Sequence, residues 1–167
     1  MKKLNFLKAI VDFVWFMALI SITFLIFFIG YLVFSKNPID FPIEMNGIEI
    51  TVFDLNAKLA LFFATASYII ILYSLFLFRK LLRLFQLKII FEKATIFYLN
   101  RIGWLFIISG RLSGIPAFFF KLVKREVKLE IGSDSFLYLI SLGLFFMVLS
   151  EVFKIAKTMK EENELTV

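Results

Sequence analysis

The sequence predicts an all-α membrane protein, a four-transmembrane-helix bundle with a small extracytoplasmic antiparallel β-sheet. The 167 residues are 61% hydrophobic and their mean hydropathy is +0.92, whereas soluble domains are about 45–50% apolar. Four nearly uncharged runs are each long enough, or almost long enough, to cross a hydrocarbon core of ~30 Å. We therefore expect residues 1–167 to form a single integral membrane domain, with spans over about 13–35, 59–78, 100–120 and 135–155.

The first predicted span follows a short basic segment that contains Lys2, Lys3 and Lys8. Residues 13–35 hold no charge, and this run is longer than the ~7–15 apolar residues of a signal-peptide core. No small-residue cleavage pattern follows it. The segment is therefore predicted to be a retained transmembrane helix.

Two stretches outside the predicted spans have strand patterns. Asn46-Gly47 lies between alternating apolar residues, a strong hairpin signal because both turn residues accept positive φ; a disordered loop is the alternative. Residues 123–131 alternate apolar and charged side chains with period two. Because a lone strand is not stable in water, we expect the hairpin 43–53 and the strand 123–131 to pair in one extracytoplasmic sheet.

The second predicted span, 59–78, ends at a basic segment. Residues 79–101 contain six Lys and Arg residues and one acid, Glu92. We expect the helix to continue for about two turns, to break near residues 88–91 and to restart from Glu92. The Leu and Phe residues between the charges favour a membrane surface over nucleic acid as the partner of this segment.

The distribution of basic residues predicts the orientation. The N-terminal segment and residues 79–101 together supply nine Lys and Arg residues, three plus six. The first outer loop supplies two, and the second supplies four that are balanced by three acids. The positive-inside rule therefore places both termini and the 79–101 loop in the cytoplasm.

The third predicted span has one charge near its middle, Arg111, which is the candidate functional residue. An Arg at bilayer depth costs at least roughly 2.5–3.5 kcal/mol, so it should face protein or water. It could line a cavity that binds an anionic ligand or gates a pore. Alternatively, it snorkels outward past a kink at Pro116, or pairs with Asp134 or another acid of the outer loops.

The same span contains small residues at four-residue spacing, which place them on neighbouring faces of one helix. The candidate helix-packing residues are Gly110, Gly114, Ser109 and Ser113. Side chains of this size let the backbone of another transmembrane helix approach closely.

Composition argues against catalysis. The chain has neither Cys nor His, which removes thiolate and imidazole ligands and the commonest general base. The apolar runs contain no paired carboxylates, and no Gly-rich phosphate loop is evident. We therefore expect no catalytic residue, no metal site and no bound cofactor, and a protein that is not an enzyme.

The C-terminal run Glu151-Val-Phe-Lys-Ile-Ala-Lys-Thr-Met-Lys-Glu-Glu-Asn-Glu-Leu-Thr-Val167 resembles the ending of a bacterial membrane family, domain of unknown function 2975. Arg101-Ile102-Gly103-Trp104 is similar to the family's entry into its third helix, although this chain lacks the Pro before Phe91 and the Ser or Thr after it. The resemblance implies a bacterial four-helix membrane protein. It also implies that the gene frequently lies near a gene for a small helix-turn-helix regulator. The resemblance brings no catalytic residue to this chain.

Taken together, these features predict a non-enzymatic regulatory or sensory component of the bacterial cytoplasmic (inner) membrane. Its expected partners are the lipid bilayer and either a cytoplasmic regulatory protein, of helix-turn-helix type by the resemblance, or a second copy of itself. No direct nucleic-acid binding is expected. The alternative is a small transporter, channel or lipid- or anion-binding membrane protein that uses Arg111.

Overall fold

The computed structural model describes residues 2–34, 43–45, 48–50, 55–124 and 135–165. Four long helices account for most of this part of the chain: α1 (Lys2–Phe34), α2 (Leu55–Gln86), α3 (Lys93–Lys124) and α4 (Ser135–Leu165). Each contains 31–33 residues and is therefore about 45–50 Å long. Each helix therefore has more than the ~20 residues that a transmembrane helix needs.

Successive helices pack antiparallel to one another, and α3 lies between α2 and α4. Ser67 of α2 contacts Ser109 of α3, and Ser150 of α4 donates to the carbonyl of Ile96 in α3. Ring contacts also join α2 to α4, between Phe78 and Phe146 and between Phe85 and Phe153. Helices α2 and α4 therefore pack on two sides of α3 and touch each other through aromatic rings, whereas α1 packs mainly on α2.

The apolar core lies where α2 and α3 face each other. Leu77 and Leu81 of α2 meet Leu99 and Ile102 of α3, and all four side chains are at most 4% exposed. The three- and four-residue spacings keep each pair on one helix face. Partly buried residues pack around this cluster, most of them aromatic: Phe76, Phe78, Phe85, Tyr98, Leu105, Phe106, Phe146, Leu149 and Phe153.

The closest approach of α3 and α4 is at two glycines. A Cβ atom on Gly103 would lie 2.7 Å from the carbonyl oxygen of Gly143, and a Cβ atom on Gly143 would lie 2.7 Å from the carbonyl oxygen of Gly103. Both distances are too short for real carbon atoms. The two backbones therefore touch directly, as small residues allow in membrane helix pairs.

The connection from α2 to α3 is a tight C-terminal cap. The N–H of Lys88 donates to the carbonyl of Phe85, and the N–H of Ile89 donates to the carbonyl of Leu84. This is the Schellman pattern, in which the residue after the helix takes a left-handed conformation. Lys88 has φ of 61°, at a position where glycine is usual. The connection coincides with the break expected near residues 88–91.

The predicted fold class is wrong about the β-sheet formed by residues 43–53 and 123–131. Helix α3 continues to Lys124, so the strand predicted over 123–131 begins inside a helix; residues 125–131 lie outside the described part of the chain. Extended backbone in the described residues is limited to Ile43–Met45 and Ile48–Ile50, which pair with each other and with no third strand. The remainder of the predicted hairpin is not described.

The local reason for the error is backbone hydrogen bonding. The alternating residues after Leu122 follow an apolar stretch that already continues α3. A helix satisfies its own N–H and C=O groups by continuing, whereas a strand there needs a partner strand. The four predicted helices are present, and α1 packs mainly on α2.

Three helices in the described ranges are long and apolar enough to cross a membrane, over Lys2–Tyr31, Lys58–Gln86 and Phe136–Leu165. They carry large exposed apolar side chains, such as Phe27 at 74% and Phe62 at 67%. These observations indicate a membrane protein, because surfaces of this kind are solvated by lipid rather than by water.

The glycine contact makes a testable prediction. Gly103→Ala should lower the free energy of unfolding by about 1–3 kcal/mol, since the added methyl forces α3 and α4 apart. Gly30→Ala is the matched control, because a Cβ atom at Gly30 meets nothing within 4 Å; it should be neutral or slightly stabilising. Unfolding in mixed micelles with increasing denaturing detergent measures both. Equal effects of the two substitutions would contradict the contact.

The cap makes a second prediction. Lys88→Gly should raise the free energy of unfolding by about 1 kcal/mol, because glycine adopts positive φ without the clash of a Cβ atom. Lys154→Gly, in the middle of α4, should lower it by about 1 kcal/mol instead. The same titration distinguishes the signs, and destabilisation by Lys88→Gly would show that the left-handed conformation is absent.

Candidate functional site

Arg111 lies on the exposed face of α3. Exposed side chains recur along this helix at alternating spacings of four and three residues; we call them the α3 stripe: Phe97, Arg101, Trp104, Ile108, Arg111 and Ile115. The other faces of α3 are occupied, by Leu99 and Ile102 toward α2 and by Gly103 toward α4. Arg111 is therefore directed away from both neighbouring helices.

No hydrogen bond, ion pair or cation–π contact joins Arg111 to another residue in the described part of the chain. Asp134, which the sequence analysis considered as a partner, lies outside that part. The structure thus shows the guanidinium on an outward face of α3.

The depth of Arg111 follows from the helix beside it. Ser109 faces Ser67, which is eight residues inside the apolar run that begins at Leu59. Since α2 and α3 are antiparallel, Arg111 is level with residue 65, about 9 Å from the level of Leu59 at 1.5 Å per residue. Arg111 therefore lies beside the apolar run of α2, well inside its end.

The four candidate packing residues have three different environments. Ser109 and Ser67 bond reciprocally, with the hydroxyl oxygens 2.7 Å apart and each hydroxyl also directed at the other residue's carbonyl, at 3.0 and 3.2 Å. Ser113 instead donates to the carbonyl of Gly110, within its own helix. Gly110 and Gly114 face α4, where Cβ atoms would meet Phe136 at 3.0 and 2.6 Å.

The sequence analysis missed the contact between Gly103 and Gly143. The signal available was the seven-residue spacing of Gly103 and Gly110, which places both on the seam that faces α4. Gly143 stands alone in its apolar run and has no such repeat. Its role depends on which residue of α3 reaches it.

Three polar contacts hold α1 against α2. Arg79 donates from Nε to a carboxylate oxygen of Asp12, and its guanidinium carbon lies 4.2 Å from the centroid of the Trp15 ring. Gln86 bonds to Asn5 near one end, and the hydroxyl groups of Ser21 and Tyr68 bond nearer the other. The cation of Arg79 is thus neutralised by a carboxylate and covered by an aromatic face.

A second candidate site lies at the basic end of the molecule, where α2 joins α3. We define the end surface by exposed apolar side chains of the connection and of α4: Leu87, Ile89, Ile90, Phe91, Val152, Ile155 and Met159, which are 36–60% exposed. The Phe153 ring joins its two parts, because it contacts the rings of Phe85 and Phe91 at 6.0 and 5.7 Å.

The last turns of α4 continue past this contact. Ion pairs of Lys157 with Glu161 and of Lys160 with Glu164 connect successive turns, at 3.3 and 3.6 Å. Pairs with this spacing support an exposed helix by a few tenths of a kcal/mol each. An open groove of about 610 Å³ follows this helix and is lined by Ala156, Met159, Lys160, Asn163 and Glu164.

Neither site has the ligands of a metal centre. The side chains in the described ranges include no group of three Asp, Glu, His or Cys residues placed to hold an ion. The first site presents the outward cation of Arg111 beside the apolar run of α2. The second site, the end surface, presents apolar side chains among charged ones.

Residues 7–167 match the family described as Protein of unknown function (DUF2975). The chain belongs to this family. The resemblance inferred from the C-terminal run is thereby confirmed. No curated protein and no solved structure matches the chain, so the sites of this DUF2975 protein are interpreted from their own chemistry.

The two serines of this DUF2975 protein that lie four residues apart on α3 should behave differently. Ser109→Ala should lower the free energy of unfolding by about 1 kcal/mol, because it removes the contact between the two hydroxyl groups and the bond to the Ser67 carbonyl. The Ser67 hydroxyl keeps the backbone carbonyl of residue 109 as its acceptor. Ser113→Ala, which loses only a bond within its own helix, should change it by less than about 0.5 kcal/mol. Detergent-titrated unfolding measures both.

A double-mutant cycle with Ser67→Ala should give a coupling energy of about 0.6 kcal/mol for the pair with Ser109 and none for the pair with Ser113. Equal coupling in both cycles would contradict the interhelical bond.

Proposed function

We propose that this protein is a non-enzymatic regulatory or sensory component of the bacterial cytoplasmic membrane that binds a cytoplasmic protein through the end surface. The single observation that carries the proposal is the position of exposed apolar side chains beyond the level at which the helices become charged. In this proposal all four helices cross the bilayer and both termini are cytoplasmic, consistent with the distribution of Lys and Arg.

The pair of Asp12 and Arg79 marks the level at which the membrane ends. Helix α2 continues for seven residues past Arg79, to Gln86, so the connection lies about 10 Å further along the helix axis. A headgroup layer is only about 5–8 Å thick on each side. The end surface therefore extends past the headgroups into water.

Apolar side chains in water favour a protein partner. Leu87 is 60% exposed, and Ile155 and Met159 are each 59% exposed. Contiguous patches of this kind on soluble surfaces commonly mark interaction sites. Lys154 and Lys160 on the same helix are already paired with Glu151 and Glu164, so apolar contact rather than charge is expected to select the partner. The resemblance stated above adds a helix-turn-helix regulator as the class of partner to test first.

The alternative function, a transporter or channel with Arg111 along its path, has less support. Arg111 lies on the face of α3 that is turned away from α2 and α4. A path between described helices would need the opposite orientation.

A photo-cross-linker at Met159 in native membranes tests the proposal. It should capture one cytoplasmic protein, identified by mass spectrometry, and Ile155→Gln should reduce the yield by about tenfold because it places a polar group in the apolar contact. The matched control is Glu151→Gln with Lys154→Gln, which removes an ion pair whose side chains are 69% and 65% exposed. This control should retain at least half of the yield.

Truncation after Lys160 should also reduce capture, because it removes the acids that pair with Lys157 and Lys160. Capture of lipid and of other copies alone, at equal levels of protein in the membrane, would contradict a cytoplasmic partner.

A further inference from the structure

We propose that the α3 stripe is the docking site of a second transmembrane helix, from another protein, that places a carboxylate against Arg111. The proposal concerns the membrane-embedded part of the protein and is independent of the end surface. It rests on the depth of α3, the spacing of the stripe, and the absence of a matching acid among the described side chains.

Helix α3 lies at the same depth as its neighbours. It packs along α2 and α4, both of which are apolar and long enough to cross a membrane. Arg101 and Arg111 lower the apolar character of α3 itself, but the contacts at Ser67 and Gly143 hold it beside those two helices. An outward Arg111 therefore faces the bilayer, where an unpaired cation is costly.

The spacing of the stripe fits a helix better than a lipid headgroup. Intervals of 4, 3, 4, 3 and 4 residues from Phe97 to Ile115 form a straight seam of the kind that packs against another helix. The seam is about 27 Å long, close to the thickness of the hydrocarbon core. A lipid headgroup lies at the interface, whereas a carboxylate on a helix packed along this seam would meet Arg111 at its own depth, about 9 Å inside the apolar run of α2.

Charge decides which helix can bind there. In a two-fold dimer that uses this stripe, Arg111 would face its own copy, and the two cations would repel. The carboxylates with described side chains all lie at the basic end, from Asp12 on α1 to Glu164 on α4, and Asp12 already binds Arg79. A partner helix with Asp or Glu at the level of Arg111 supplies the missing charge and gains a charge-assisted hydrogen bond.

The fluorescence of Trp104 can report this docking. Trp104 lies on the stripe seven residues from Arg111, and Trp15→Phe leaves it as the sole tryptophan. We would reconstitute this variant at pH 8 in phosphatidylcholine vesicles with a polyleucine transmembrane helix that carries a quencher and one central Glu. The matched control is the same helix with Gln at that position.

The Glu helix should quench Trp104 at about tenfold lower concentration than the Gln helix. Arg111→Leu should remove the difference, whereas Arg111→Lys, which keeps the charge, should retain part of it. Equal quenching by the two helices would overturn the proposal, as would a difference that persists in Arg111→Leu.

Two other occupants have their own signatures. Quenching of Trp104 by brominated phosphatidylglycerol, dependent on Arg111 and without preference for the Glu helix, would assign the cation to a lipid headgroup and overturn the proposal. Energy transfer between two labelled populations of the protein, dependent on Arg111, would show that a second copy covers the stripe and would also overturn it.

Photo-cross-linking in native membranes is the decisive experiment. A photo-cross-linker at Ile108 should capture an identified membrane protein through a helix that contains Asp or Glu, and the same cross-linker at exposed Leu144 on α4 should not. Arg111→Glu should abolish capture, and exchange of the partner's acid for Arg should restore it. Failure of this restoration overturns the proposal. Because the end surface is unchanged, the outcome does not affect the cytoplasmic interaction.

Discussion

Direct backbone contact between α3 and α4 at Gly103 and Gly143 is the constraint on which the rest of the architecture depends. Lipid solvates leucine as well as another leucine does, so membrane helices gain little from apolar surface alone and depend on close packing and polar bonds. The glycine contact brings the helices close enough for Phe136 to pack on Gly114 and for Ser150 to bond the Ile96 carbonyl. It also determines which face of α3 is left over.

The two sides of α3 are stabilised differently. Toward α4, the seam uses backbone contact at glycines. Toward α2, it combines the reciprocal bond of Ser67 and Ser109 with an apolar cluster around Leu81 and Ile102. Helix α1 has neither feature and is attached through polar contacts such as Asp12 with Arg79. The rings of Trp15 and Phe76, 6.1 Å apart, add an aromatic contact to this attachment.

The two candidate sites follow from what this packing leaves exposed. At bilayer depth, the face of α3 opposite its neighbours carries Arg111 among apolar residues. At the basic end, α4 continues past the turn at Lys88 and carries the exposed apolar side chains of Ile155 and Met159. The first site calls for a carboxylate in the membrane and the second for an apolar partner in solution.

Composition and the lengths of the apolar runs determined that this is a helical membrane protein, because backbone groups in lipid must be hydrogen-bonded and a helix achieves this within each apolar run. The break near Lys88 and the small-residue spacing around Gly110 could also be predicted from the sequence, since a helix cap and the faces of a helix depend on residues that are close in the chain. Tertiary structure decided the rest. It continued α3 through Val123, chose Gly143 as the partner of Gly103 and placed α1 against α2, because each outcome depends on residues that are distant in the chain and adjacent only after the helices pack.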